Sequence, residues 1–318
     1  LKTKKVTNIT PTNGVHSSKL KGNYLIDHFS NLTTPGVTNV INIKNRHKTH
    51  LKTAKNPLKD YNLGTTELLK LKSEDGFDLH SMIIKPANFD RSKKYPVLVY
   101  VYGGTHAQLV KNSWLAESSL WMQWLASQKD YIVFTLDNRG SANRGFAFES
   151  AIHRTAGEKG MKDQLKGVEY LKSLSYVDEN RIAVHGWSYG GFMTSSLLLR
   201  YPKVFTTGVA GGPVTNWKYY EVMYGERYMD TPQENPEGYE NSRIGKYLEN
   251  LEGKLLLIHG SIDPTVVPQH SMEVLKEAVD KGVQIDFYTY PMHEHNVRGK
   301  DRVHLMQEVL DYVLEHNK

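Results

Sequence analysis

The run Arg181-Ile-Ala-Val-His-Gly-Trp-Ser-Tyr-Gly-Gly-Phe-Met-Thr-Ser-Ser-Leu-Leu-Leu199 decides the fold. Its first five residues read as a short buried strand, and the stretch from Gly191 to Leu199 reads as a helix. Between them lies Gly186-Trp-Ser-Tyr-Gly190, the G-x-S-x-G nucleophile elbow. A turn this tight brings backbones together, so its flanks must be glycine and Ser188 is forced into a strained, exposed conformation. The helix that follows aims its free N–H groups at any oxyanion formed on a substrate.

Outward from the elbow, apolar strand-like runs recur at Val97–Tyr102, Tyr131–Leu136, Val204–Ala210, Leu255–His259 and Ile285–Tyr290. Helical patterns separate them at about 116–128, 161–175, 190–201, 268–281 and 300–316. Strand–helix alternation of this kind predicts an α/β fold with a mostly parallel sheet covered on both faces. Ahead of it, Thr65–Lys72 and Asp78–Lys85 alternate like a hairpin around Asp75-Gly76.

Residues 1–60 differ in character. They carry 11 Lys/Arg against 2 Asp/Glu, whereas residues 61–318 carry 29 against 32, so the net charge of +6 belongs to the N-terminal segment. No RNA-binding signature or recognition-helix pattern accompanies the lysines, which argues for a solvated surface and against nucleic-acid binding. Stretches such as Tyr24–Phe29 and Thr38–Ile43 read as single strands joined by turns at Asn13-Gly14 and Pro35-Gly36, without apolar mass for a core. The domain boundary falls between 60 and 61. The chain starts at Leu1 with no signal-peptide pattern, as a piece of a longer protein would. No apolar run approaches the 18 or so residues of a membrane span. With no cysteine, disulfides and thiolate metal sites are excluded.

An α/β-hydrolase places its acid and its histidine after the serine, each in a loop beyond a strand end. The strand Leu255–His259 leads into Gly260-Ser-Ile-Asp263-Pro264, and the strand Ile285–Tyr290 leads into Pro291-Met-His-Glu-His295. Ser188 is a weak nucleophile until a histidine takes its proton. His295 can do so near neutral pH, and Asp263 would orient the imidazole. Two alternatives stay open on spacing alone. Asp263 also reads as a turn aspartate before a proline, and His293 and His304 compete with His295. A second oxyanion donor is expected beside the Tyr189 N–H, and Tyr102 at the end of an early strand can supply its phenol there.

Together, Gly186-Trp-Ser-Tyr-Gly-Gly191, Asp137-Asn-Arg-Gly-Ser141 and the Tyr102-Gly-Gly104 turn resemble the prolyl oligopeptidase clan of serine peptidases. Pro86–Pro96 and the long Pro213–Tyr228 stretch resemble its dipeptidyl peptidase IV subfamily. Tyr102–Val110, Thr231–Tyr239 and His293–Leu305 are more similar still to bacterial prolyl tripeptidyl peptidases. The resemblance covers about residues 61–318.

It implies the triad Ser188, Asp263 and His295, because the family histidine falls four residues after the proline that matches Pro291. It likewise implies an oxyanion hole of Tyr102 and Tyr189, and an S1 pocket walled by Val214, Trp217, Tyr220 and Tyr224. From the residue pattern alone, the stripe Trp217/Tyr220/Tyr224 reads as core packing. The implied activity is a serine exopeptidase that releases N-terminal di- or tripeptides after proline. Acylaminoacyl peptidase or esterase activity is the alternative within the clan. The implied partners are short peptides with proline near the N-terminus, a homodimer is compatible, and no metal or cofactor is called for. Bacterial relatives of this kind act in the periplasm or at the cell surface. The resemblance also makes residues 1–60 the closing strands of an N-terminal β-propeller. Two positions depart from the family pattern: Thr265 replaces an asparagine that contacts substrate, and Thr105 stands where proline is usual.

Overall fold

The polar N-terminal segment folds into four antiparallel strands because its residues alternate and its turns are short. The computed structural model describes residues 6–318. Strands β1 (Val15–Lys21), β2 (Tyr24–Asn31), β3 (Thr34–Asn42) and β4 (Lys48–Thr53) form a meander in which each pairs with the next. The tight turn between β1 and β2 is Gly22-Asn23, with Gly22 at φ +58°. The expected turn at Pro35-Gly36 is corrected, since both residues lie inside β3. Pro35 is tolerated there because the pairing with β2 shifts register opposite it and the ladder to β4 begins only at Val37. Ile41 is the one buried apolar side chain among the described residues of this segment, as its composition leads one to expect. Asp27 is buried too, and is satisfied by His16 Nδ1 at 2.9 Å and Ser18 Oγ at 2.7 Å.

The second sheet has eight strands. Strands β5 (Thr65–Lys72) and β6 (Asp78–Lys85) are the expected hairpin, and β7 (Tyr95–Tyr100) follows. Helix α1 (Leu120–Lys129) leads to β8 (Ile132–Asp137). The single-turn α2 (Phe146–Glu149) and α3 (Glu158–Ser173) lead to β9 (Val177–Trp187), which is longer than the run of five residues that marks it in the sequence. Then come α4 (Tyr189–Arg200), β10 (Thr207–Gly211), α5 (Val222–Met229), α6 (Pro236–Ser242) and β11 (Lys254–Gly260). Helix α7 (Gln269–Asp280), β12 (Asp286–Tyr290) and α8 (Asp301–His316) complete the chain. The spatial order is β12-β11-β10-β9-β7-β8-β6-β5, parallel from β12 to β8 and antiparallel at β6 and β5. This is the mostly parallel sheet of an α/β-hydrolase. No helix among the described residues is long and apolar enough to cross a membrane.

Successive residues of the central strands are apolar on both sides, so the sheet carries two cores. Val97, Val99, Val184, Leu255 and Leu257 face α3, α4 and α7. Leu98, Ala183, Val209, Leu256 and Ile258 face α1 and α8.

A buried ion pair fastens α3 to the end of β8. Arg139 and Asp163 are 2% and 1% exposed, with Nη2 2.7 Å from Oδ1 and Nε 2.9 Å from Oδ2. The Arg139 backbone N–H donates to the same carboxylate at 2.9 Å, and Asp75 closes over the guanidinium from the β5–β6 turn. Removing one member of such a pair leaves a desolvated charge. Asp163→Ala is therefore expected to destabilise the protein by about 3 kcal/mol, read as a lowered unfolding midpoint; a midpoint unchanged from the native protein would remove the pair from the account.

Candidate active site

Chain geometry at Ser188 follows from three glycines. Ser188 stands at φ +63° and ψ −120°, a conformation that L residues rarely adopt, between the last residue of β9 and the first of α4. The backbone can pass only because its neighbours lack side chains. A Cβ on Gly186 would lie 2.3 Å from the Val101 carbonyl oxygen, and one on Gly190 would meet the same oxygen at 2.3 Å. A Cβ on Gly191 would come within 2.5 Å of the Gly211 oxygen. The turn is held in place by the Ser188 N–H, which donates to Gly211 O at 2.8 Å. Strain at this residue is thus imposed by packing on both sides, and the hydroxyl is left half-buried at the mouth of a cavity of about 410 Å³.

His295 lines that cavity with Ser188. Its Nδ1 lies 2.7 Å from Asp263 Oδ2, and its ring passes 3.2 Å from the position a Cβ on Gly212 would take. The indole N–H of Trp187, next to the serine, donates to the His295 carbonyl at 2.8 Å and ties the histidine loop to the elbow. The two competing histidines are engaged elsewhere. His293 Nε2 is 2.7 Å from Asp301 Oδ2, and His304 Nδ1 is 2.8 Å from the Tyr290 hydroxyl.

Asp263 sits in the tight turn after β11, where the Thr265 and Val266 N–H groups donate to its Oδ1 at 2.8 and 2.9 Å. Burial works to raise its pKa. Hydrogen bonds from His259 and His295, together with the charge that His295 can carry, outweigh it and hold the carboxyl well below the usual carboxylate range. His259 is a residue the sequence reading passed over as part of a strand. Its Nε2 donates to Val266 O at 2.7 Å and stands 3.5 Å from Asp263 Oδ2, while Ser271 Oγ donates to its Nδ1 at 2.7 Å. A histidine at a strand end, four residues before the candidate acid, was the available signal.

Tyr102 and Tyr189 flank the serine from two elements. The Tyr189 N–H opens α4, where helix geometry leaves it without an intrahelical acceptor. Burial pushes the Tyr102 phenol up in pKa against a hydrogen bond with Ser188, so at neutral pH it remains a donor. The Asp137-Asn-Arg-Gly-Ser141 motif braces this loop. Asp137 accepts from the Leu109 and Val110 N–H groups at 2.9 and 3.1 Å, and Asn138 Nδ2 donates to Gly103 O at 2.9 Å.

Of the expected S1 residues, Val214 and Trp217 are buried and Tyr220 and Tyr224 half-buried, all four packed into the core on the α3/α4 side. Trp217 and Tyr224 stack with centroids 5.8 Å apart and planes 6° apart, and Tyr220 meets both edge-on at 5.6 and 5.1 Å. Tyr220 also lines the cavity at Ser188. Thr105, one of the departures from the family pattern, has a positive role here: its hydroxyl hydrogen-bonds the Tyr224 phenol and fixes that ring. Thr265, the other departure, is exposed at the cavity wall.

Close backbone approach at the elbow makes its glycines irreplaceable. Gly190→Ala should lower stability by about 2 kcal/mol or more, as expected of an overpacked backbone contact. Gly225→Ala, where nothing approaches a Cβ closer than 3.8 Å within α5, should be neutral or stabilising. Chemical denaturation of the two variants side by side checks it, and equal midpoints would contradict the close-approach account.

Comparisons with known proteins identify the family. Residues 116–318 match the model of the prolyl oligopeptidase family. Dipeptidyl peptidase 8 of Mus musculus is 35% identical over 265 residues, which covers 82% of this chain and 29% of that protein. Prolyl endopeptidase FAP of Homo sapiens is 34% identical over 267 residues, covering 82% and 34% respectively. Among solved structures, a putative dipeptidyl aminopeptidase IV from Bacteroides ovatus superposes with a TM-score of 0.94 at 50% identity. Porphyromonas gingivalis dipeptidyl peptidase 4 superposes with a TM-score of 0.90 at 31% identity. These likenesses cover 96% and 98% of this chain, and 44% of each of those chains. The chain therefore spans about a third of the curated relatives' length and under half of the solved structures'. On the family match and on these relatives together, the chain belongs to the prolyl oligopeptidase family of serine peptidases.

Proposed function

We propose that this chain carries the catalytic centre of an exopeptidase that removes N-terminal di- or tripeptides by cleaving after proline, through an acyl-enzyme. One observation carries the reading: His295 is seated on Asp263 and shares a cavity with the strained Ser188. In this mechanism Ser188 Oγ attacks the scissile carbonyl carbon and His295 Nε2 takes its proton. The carbonyl oxygen, now anionic, lies between the Tyr102 phenol and the Tyr189 N–H. As the C–N bond breaks, His295 returns the proton to the leaving amine. Water then enters on the same route, its proton passing to His295 and back to Ser188, and frees the acyl product. Asp263, held anionic, stabilises the imidazolium in both halves.

Preference for proline is supported by the pocket walls. Val214, Trp217, Tyr220 and Tyr224 offer apolar faces and edges, and none carries a charge. A flat pyrrolidine ring has no N–H to satisfy in a peptide and buries well against such rings. Release of a short N-terminal unit further needs carboxylates to hold the substrate amine, and among the described residues no Asp or Glu lines the cavity. We place that role in a β-propeller, of which the sheet β1–β4 would be one blade. Its four antiparallel strands in simple up-and-down order are the blade architecture. On this reading residues 1–60 are propeller and 61–318 the catalytic domain.

Ser188→Ala is expected to abolish turnover while leaving the unfolding midpoint in place, and a fluorophosphonate should label the native protein but not the variant; residual activity in Ser188→Ala would remove Ser188 from the mechanism. Tyr102→Phe should lower kcat by about 100-fold with little change in KM, as loss of one oxyanion donor does.

Substrate length is read from three anilides assayed on the full-length protein: a free X-Pro, a free X-X-Pro and an N-acylated X-Pro. Preference for one of the free substrates is the expected result and fixes whether two or three residues are released. Preference for the acylated one would transfer the assignment to acylaminoacyl peptidase chemistry.

A further inference from the structure

The cavity at Ser188 has two walls, rooted on opposite faces of the sheet. On the first, Tyr220 packs against the core on the α3/α4 side, backed by Trp217 and Tyr224, which lie behind it and do not themselves line the cavity. Tyr100, Trp121 and Trp187 pack against the core on the α1/α8 side, with Leu305 and Val309 of α8 among their neighbours. His295 comes from the loop that leads into α8. Because the general acid must reach the leaving nitrogen, the half of a peptide beyond the scissile bond lies along this second wall.

That wall is mainly aromatic, with a single permanent charge. Tyr100, Trp121 and His185 meet ring against ring, with centroids 5.6 Å apart for Tyr100–Trp121 and 5.8 Å for Trp121–His185. Arg302, in the first turn of α8, lines the same cavity with its side chain exposed. It has no carboxylate partner among the described residues, whereas the adjacent Asp301 is taken by His293 at 2.7 Å. Asp263, the nearest acid to the catalytic histidine, is 2% exposed and fully engaged with His295, His259 and two backbone N–H groups. His185 is pushed down to about 4, first by burial and further by the Arg302 charge, so it is neutral at physiological pH. An unpaired guanidinium in a cavity lined by aromatic rings, with no acid among its described lining residues, is suited to an anionic group on the ligand.

We propose that Arg302 is a specificity-determining residue that binds a carboxylate on the leaving half of the substrate, either the free C-terminus of a short peptide or an acidic side chain just beyond the scissile bond. The inference rests on the serine-peptidase reading above and extends it to the product that departs first. Peptides that end soon after the cleaved bond are then favoured over long or amidated ones.

The test uses the full-length protein and Ala-Pro-Ala-Ala, or Ala-Ala-Pro-Ala-Ala where the X-X-Pro anilide is the one preferred, in three forms: free acid, C-terminal amide, and an amide with aspartate as the last residue. Each kcat/KM is divided by the same variant's value on the preferred anilide, so general damage to the site cancels. In the native protein the free acid should exceed the plain amide about threefold to tenfold, the range of a partly exposed charge-assisted contact. That ratio should fall to about one in Arg302→Ala and below one in Arg302→Glu, and should be partly kept in Arg302→Lys. It should also shrink as salt is raised. If the aspartyl amide matches the acid, side-chain carboxylates are read; if it matches the plain amide, the C-terminus is. Equal rates for acid and plain amide in the native protein, or a ratio that survives Arg302→Ala, would overturn the proposal.

A second readout does not depend on turnover. Ser188→Ala protein is titrated with Ala-Ala as acid and as amide, following the tryptophan fluorescence to which Trp121 and Trp187 contribute. The acid should bind more tightly, and the difference should vanish in the Ser188→Ala/Arg302→Ala double variant. Should the native protein leave every anilide uncut, the peptidase reading fails, and this titration still decides the role of Arg302.

Discussion

Everything at the site depends on one backbone conformation that the chain would not adopt alone. Ser188 is held at positive φ because β9 and α4 both press against it and the oxygens of Val101 and Gly211 occupy the space where side chains would be. Strain of this kind, of order 1–3 kcal/mol, persists only where surrounding structure over-determines it. Here the surroundings are two apolar cores and a parallel sheet buried on both faces. The consequence is positional. The hydroxyl is lifted clear of the sheet, the first N–H groups of α4 converge beside it, and the loops after β7, β11 and β12 end within its reach.

The rest of the apparatus is a set of braces on those loops. Asn138 and Asp137 hold the Tyr102 turn, Trp187 holds the His295 backbone, the Thr265 and Val266 N–H groups hold Asp263, and His259 holds the Val266 carbonyl of the same turn. Each brace is a buried or part-buried hydrogen bond to a loop at the end of a strand. The candidate catalytic geometry, assembled from four loops, is thereby tied to the sheet. The aromatic wall is braced in the same way, with the Thr105 hydroxyl on Tyr224 and the Trp217 ring stacked beneath it.

Much of this was legible from the sequence, and the reason differs by region. Strand and helix periods are strong where both faces are buried, so the eight-stranded sheet, its hairpin and the long helices were readable to within a few residues. The elbow glycines were readable because only close backbone approach demands them. Local signals failed where tertiary context decides. Pro35-Gly36 has turn chemistry, yet it opens a strand because the missing N–H falls at a register shift. Helices α5 and α6 are short and follow β10, where Trp217, Tyr220 and Tyr224 pack against one another in place of a regular helical stripe. His259 was hidden by sitting in a strand, and the Tyr100/Trp121/His185 wall was hidden by coming from three separate segments. Spacing could not choose among His293, His295 and His304, whereas the partners that hold each ring distinguish them at once.

The division of the cavity between two cores also bears on how such a protein can change over time. On the proposed reading, a peptide lying across Ser188 meets Tyr220, anchored in the α3/α4 layer, on its acyl side, and Tyr100, Trp121 and Trp187, anchored in the α1/α8 layer, on its departing side. The sheet separates the two layers. On that reading, substitutions that reshape the acyl-side wall act on a different core from those that alter what is read beyond the cleaved bond. One serine would then serve two recognition surfaces rooted in separate layers, a modularity that arises from sheet topology.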